Sequence, residues 1–289
     1  MLTLITLKCT EINRVFTEIF DNCEDNYGLE PMPDDYMGDD GLIYCGSCHT
    51  KKQCLTPRIL TFEPRIVSCP CKCQQERETA EKAQRDFVQR VRRNTANANI
   101  PTHYANTKLE MLDEANRNFA VRYLADFYEN SGDTIGLLLY GDVGTGKSFL
   151  ASCLANDMLS KGYSMRWISA MQIVEQGAFY SDEDYRRYVD DIIRPDVLII
   201  DDLGAERGTE FAMERVFSLV DTRVSSDKPL IVTTNVDINT MGQCSDLRRK
   251  RTFDRVLSAT FPYVMRGVSR RMRSARENFD RYKDLFLGK

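Results

Sequence analysis

The stretch Gly141-Asp-Val-Gly-Thr-Gly146-Lys147-Ser148 constrains this 289-residue chain more than any other feature. It matches a P-loop in full. Residues 135–140 ahead of it form an apolar run that reads as a strand, and residues 148–161 behind it, closed by Gly162, read as a helix. Strand, glycine loop, helix is the context in which the pattern acquires its chemistry. Glycines at 141, 144 and 146 let backbone N–H groups turn inward around phosphates. The helix N-terminus adds its dipole to that cradle. Lys147 would set a compact positive charge on the β- and γ-phosphates, and the Ser148 hydroxyl would take a Mg²⁺ position. The expected nucleotide-binding residues are Gly141, Asp142, Val143, Gly144, Thr145, Gly146, Lys147, Ser148 and Phe149, with ATP and Mg²⁺ as ligands.

About fifty residues on, Val197-Leu-Ile-Ile-Asp201-Asp202 ends an apolar strand in two carboxylates. The C-terminal edge of a parallel strand is where open α/β sheets bind ligands. Asp201 is expected to hold Mg²⁺ directly or through water, and Asp202 to polarise the attacking water as a general base. Further strands are expected at 164–169 and 230–234, and helices at 116–130, 182–191 and 209–224. Near-continuous apolar strands alternating with helices argue an α/β fold, a parallel sheet covered on both faces.

Three runs together resemble a known family: 141–150, 196–204, and Pro229-Leu-Ile-Val-Thr-Thr-Asn235. They are similar to the DnaC/DnaI-type replicative helicase loaders, a clade of AAA+ ATPases that includes transposition helpers of the IstB type. The resemblance covers about residues 95–289. It implies a sensor role for Asn235, whose neutral amide can bond the attacking water or the γ-phosphate without adding charge. Arg251-Thr-Phe-Asp254-Arg255 resembles the family's arginine-finger segment. Arg255 is the implied finger, acting on a neighbouring subunit's γ-phosphate, with Arg251 one helical turn earlier as the alternative. Gly267-Val-Ser269-Arg270-Arg271 resembles the second sensor, so Arg271 would touch the γ-phosphate of its own chain. Arginine stands at position 270, where the family commonly has an aromatic. No added helix-turn-helix domain is expected after Phe286, unlike origin initiators of the DnaA kind.

Ten cysteines raise the question of disulfides, but six lie between Cys45 and Cys73, ahead of a domain of cytosolic type whose compartment keeps thiols reduced. Cys45-Gly-Ser-Cys48 followed by Cys69-Pro-Cys71-Lys-Cys73 reads as a structural Zn²⁺ site. Three cysteines compete for the second pair of places. Cys71 and Cys73 are preferred alongside Cys45 and Cys48, with Cys69 or His49 as possible substitutes. The loaders of the clade often resemble this with a Cys-Lys-Cys. Cys9, Cys23 and Cys54 are unassigned, and Cys153 and Cys244 read as packing residues.

The expected organisation is an acidic segment at 1–43, a cysteine-rich zinc module at 44–73, a linker helix at 74–99 and a P-loop AAA+ domain at 100–289. A short helix at 11–20 would group Ile12, Val15, Phe16 and Ile19 on one face. The net charge of −4 hides ten acids before Cys45 against Lys8 and Arg14, and a run of arginines after Asp246. Such asymmetry suggests separate partners for the two ends. No apolar run reaches the length of a membrane helix, and the N-terminus has no signal-peptide pattern, so a cytoplasmic protein is expected. The partners implied by the resemblance are a replicative DNA helicase, single-stranded DNA and further copies of the chain. A transposition helper and an ATP-binding adaptor with little hydrolysis are the other readings.

Overall fold

The computed structural model describes residues 34–56, 64–205, 209–267 and 269–288. The helix expected at 11–20, Cys9 and Cys23 lie outside these residues. The chain divides into two compact units between Asp86 and Phe87.

In the first unit, strands β1 (Tyr36–Met37) and β2 (Ile43–Tyr44) pair antiparallel, as do β3 (Gln53–Leu55) and β4 (Ile66–Ser68). Helix α1 (Lys72–Asn97) begins in this unit and ends in the second. Among the described residues before Asp86, Leu42, Cys45 and Cys71 are the only buried apolar side chains. An ion pair, Lys52 Nζ to Asp35 at 2.6 Å, is buried beside them.

The second unit holds a five-stranded, wholly parallel sheet. Its strands are β5 (Gly136–Tyr140), β6 (Met165–Ser169), β7 (Val197–Leu203), β8 (Leu230–Thr234) and β9 (Thr260–Val264), in the order β6-β7-β8-β5-β9. Strand residues alternate between two cores, as a period of two requires. Leu137, Leu139, Val197, Ile199 and Ile231 pack with α2 (Glu114–Glu129) and α3 (Lys147–Ser160). Leu138, Leu198, Ile200 and Val232 face the other core. There they meet α4 (Ala170–Phe179), α5 (Asp182–Ile193), α6 (Glu210–Val224), α7 (Ile238–Gly242) and α8 (Leu247–Ala259). The last helix is α9 (Arg270–Leu287). No helix among the described residues is long and apolar enough to cross a membrane.

Several helix starts are written in the local sequence. Asp113, Ser169, Ser181, Thr209 and Asp246 each cap the first turn with a side-chain oxygen, and Ser169 with Gln172 forms a reciprocal capping box. Arg223 on α6 ties the bottom of the sheet together. It is fully buried and donates to the carbonyl oxygens of Ile193, Pro195, Asp196 and Pro229 at 2.6–2.8 Å. Burial lowers its pKa to about 10, which leaves it charged at neutral pH. Arg223→Met keeps the length of the side chain but strands those carbonyls. It should cost on the order of 4 kcal/mol and lower Tm by about 10 °C in a thermal melt.

Candidate nucleotide site and metal centre

The P-loop connects β5 to α3 and closes on itself. Lys147 is buried and donates to the carbonyl oxygens of Gly141 and Asp142 at 2.9 and 2.7 Å. Burial lowers its pKa, against the pull of the carboxylates of Asp202, Asp142 and Asp201. Gly141, Gly144 and Gly146 all have positive φ. A Cβ on Gly144 would collide with the Ser269 side chain, and one on Gly141 with the Met265 carbonyl. At positions 141 and 144 glycine is therefore required both by backbone conformation and by the close approach of Met265 and Ser269.

The two carboxylates at the end of β7 occupy this site because the strand is irregular there. Successive side chains of a regular strand point to opposite faces. The β7–β8 register shifts between Ile200 and Leu203, and Asp202 takes φ +55°. A bulge of this kind re-aims a side chain, and aspartate tolerates the left-handed region better than most residues. Asp201 accepts from Ser148 Oγ at 2.7 Å and from Thr233 Oγ1 at 2.6 Å. Its pKa is raised, first by burial and further by the neighbouring Asp202, while those two hydroxyls pull it down. The Thr233 hydroxyl also accepts the Asp202 amide at 2.9 Å, so one fully buried side chain fixes both acidic positions.

A single cleft is lined by Val143, Gly144, Gly146, Lys147, Ser148 and Phe149 of the loop and helix, by Asp202 and Asn235 at the strand ends, and by Arg271 and Tyr104. Asn235 directly follows β8, and Arg271 lies in the first turn of α9, whose N-cap is Ser269. Arg255 stands elsewhere: on α8, half-exposed, it pairs through Nε with Asp221 Oδ1 at 2.7 Å. Arg251 lies over the Phe217 ring at 5.2 Å. Neither arginine lines the cleft of its own chain.

The oxygen donors suit a small divalent cation. Ser148 Oγ and Asp201 Oδ1 are 2.7 Å apart, close to the spacing of about 2.9 Å between adjacent ligands of octahedral Mg²⁺. Two features of the site carry no signal in the sequence. Thr233 reads as one more residue of a buried strand, and nothing in a propensity distinguishes it from Thr234. Tyr104 sits in a short 3₁₀ turn, Thr102–Tyr104, that starts directly after Pro101.

In the first unit, the sulfurs of Cys45, Cys48, Cys71 and Cys73 all lie within 4.8 Å of one another. Tetrahedral zinc with four thiolates places its sulfurs about 3.8 Å apart, so the donor set fits Zn²⁺. Their hydrogen bonds set the thiols apart in acidity. Cys71, then Cys45 and Cys48, push Cys73 up to about 12, while Thr50 holds Cys48 at about 5. Cys69 and His49 stand outside the group. Cys69 Sγ contacts the Lys51 carbonyl at 3.7 Å, and His49 Nδ1 lies 3.2 Å from the Tyr36 hydroxyl.

Known proteins share the second unit. A protein named as the replicative helicase loader DnaI of Bacillus subtilis is 25% identical over 174 residues, 55% of this chain and 56% of that one. The replicative helicase loader DnaC of Escherichia coli K12 is 26% identical over 176 residues, 59% of this chain and 64% of that one. The chain thus spans less than two thirds of the length of either relative. ATP-binding proteins of insertion sequences match at 25–31% identity. A crystal structure of DnaI superposes with a TM-score of 0.50 at 22% identity, over 60% of this chain and 94% of that one, which establishes a shared fold. The second unit is accordingly an AAA+-like α/β domain. The profile of the IstB-like ATP binding protein family matches residues 75–277, well over half of the chain, and the chain belongs to that family.

Proposed function

We propose that this chain hydrolyses ATP with Mg²⁺ in the Lys147 cleft and uses the cycle to load a replicative helicase onto single-stranded DNA in the cytoplasm. The observation that carries the ATPase reading is the 2.7 Å approach of Ser148 to Asp201, with Asp202, Asn235 and Arg271 facing the same cleft.

On ATP binding, Lys147 exchanges the carbonyls of Gly141 and Asp142 for the β- and γ-phosphates. Ser148 and Asp201 would hold Mg²⁺, which neutralises phosphate charge when bound. Asp202 accepts the proton of the attacking water as its oxygen bonds to the γ-phosphorus and the bond to ADP breaks. The Asn235 amide orients that water or the γ-phosphate, and Arg271 takes up developing charge on the phosphoryl oxygens. Arg255 of a neighbouring copy supplies the remaining positive charge.

The loader reading is supported by the relatives named as replicative helicase loaders and by the four-cysteine cluster ahead of the ATPase. Transposition helpers of the IstB type usually lack such a module, which counts against that alternative. The bases of α8 and α9 would supply phosphate contacts whose affinity falls steeply with salt. The test is a pull-down with a replicative helicase, combined with ATP turnover with and without single-stranded DNA. Helicase capture and turnover support the loader. Capture of a transposase and not a helicase would move the chain to the transposition helpers. Zero turnover with DNA and helicase present would leave an ATP-binding adaptor.

A further inference from the structure

We propose that Tyr104 is a nucleotide-contacting residue: its hydroxyl hydrogen-bonds the γ-phosphate end of bound ATP and makes the site prefer ATP over ADP. The inference rests on the reading of the Lys147 cleft as an ATP site.

Tyr104 comes from the connector that follows α1, far in sequence from every nucleotide motif, yet its side chain lines the same cleft as Lys147, Asp202, Asn235 and Arg271. The half-buried ring shares that lining with Ser148, and the charges of Asp201, Asp202 and Arg271 reach its hydroxyl. Those are the groups that surround the metal and the terminal phosphate in the mechanism above.

The connector is held rigidly enough to aim that hydroxyl. Asn156, on α3 itself, donates from Nδ2 to the carbonyl oxygens of Tyr104 and Thr107 at 2.8 and 3.0 Å and to the Thr107 hydroxyl at 2.9 Å. Thr107 Oγ1 in turn donates to Ser152 Oγ at 2.8 Å inside the core. The ring is tilted against Trp167 with centroids 5.8 Å apart. Because Asn156 and Ser152 belong to the helix that the P-loop opens, Tyr104 is fixed in the frame of the phosphate cradle.

A neutral donor there suits the γ-phosphate. It adds a hydrogen bond to an anion without competing with Lys147 or Arg271 for charge. ADP leaves that position empty, so the contact favours ATP alone.

The test is competition of ATP and ADP, each with Mg²⁺, against a fluorescent ADP analogue on the full chain and on its Tyr104→Phe variant. Phenylalanine keeps the ring and its packing and removes only the hydroxyl. We expect ATP affinity to fall about tenfold while ADP affinity stays within twofold, the loss of one hydrogen bond to a charged group. An unchanged ratio of ATP to ADP affinity in the variant would overturn the assignment of Tyr104 and leave the ATP site standing. Failure of the unaltered protein to bind either nucleotide would overturn the reading of the site, and this inference with it.

Discussion

Lys147→Ala and Arg255→Ala should each abolish ATP turnover, and mixing the two inactive proteins should restore part of it. Lys147 lies in the phosphate cradle, with its ammonium held by two loop carbonyls until phosphates replace them. Arg255 does not line that cleft; on α8 it is paired with Asp221 of α6. In the proposed mechanism such an arginine acts on a γ-phosphate across an interface between copies. The pair it leaves is half-exposed and worth no more than about 1 kcal/mol, a small cost for assembly to overcome. Losing a finger costs roughly 10³-fold or more in turnover. In an equimolar mixture, a competent interface needs an intact cradle from the Arg255→Ala copy and an intact finger from the Lys147→Ala copy. For independent head-to-tail interfaces that is roughly a quarter of them, so recovery should approach that fraction of normal turnover. Measured phosphate release decides it. Full turnover by Arg255→Ala alone removes the finger, and no recovery on mixing removes the shared site.

The parts of the fold legible in the sequence were those where a local signal and the tertiary environment agree. The strands 230–234 and 136–140 are buried on both faces, so apolar runs mark them without ambiguity, and glycines mark the loop that follows the second. Strand Thr260–Val264 is not legible because Pro262 interrupts a run whose other residues favour strand, a proline tolerated at the sheet edge that β9 forms. It forms because Tyr140 and its neighbours in β5 offer a free edge in parallel register. Helix Ala170–Phe179 was also missed, although the Ser169–Gln172 capping box was there to be read. At the site, Lys147, Ser148, Asp202, Asn235 and Arg271 line one cleft, while Asp201 touches it through Ser148 and Arg255 does not line it. The bulge that lets Asp201 and Asp202 act together was not legible, since it depends on Thr233 of the adjacent strand. Tyr104 was hidden for the same reason: its place is set by Asn156, fifty-two residues away.

Removing zinc should unfold the first unit and leave nucleotide binding intact. The described part of that unit buries only Leu42 and two of the four clustered cysteines as apolar groups, too little to offset the entropy of ordering its chain. Its other buried feature is the Lys52–Asp35 pair, and Lys52 also feels the charges of Cys45 and Cys71. Zinc binding can contribute on the order of 10 kcal/mol to the folding of such a piece. The protein purified without chelator should carry one zinc per chain by elemental analysis. Cys71→Ser should lower that content sharply, while Cys69→Ser and His49→Ala should leave it unchanged, because neither side chain is in the cluster. On chelation, proteolysis should cut within residues 34–71 first, and a fluorescent ATP analogue should still bind, since Lys147, Ser148 and Asp201 all belong to the second unit. Zinc retained by Cys71→Ser but lost from Cys69→Ser would reassign the fourth ligand. A protein without zinc whose first unit resists proteolysis would show that the four thiols pack without a metal.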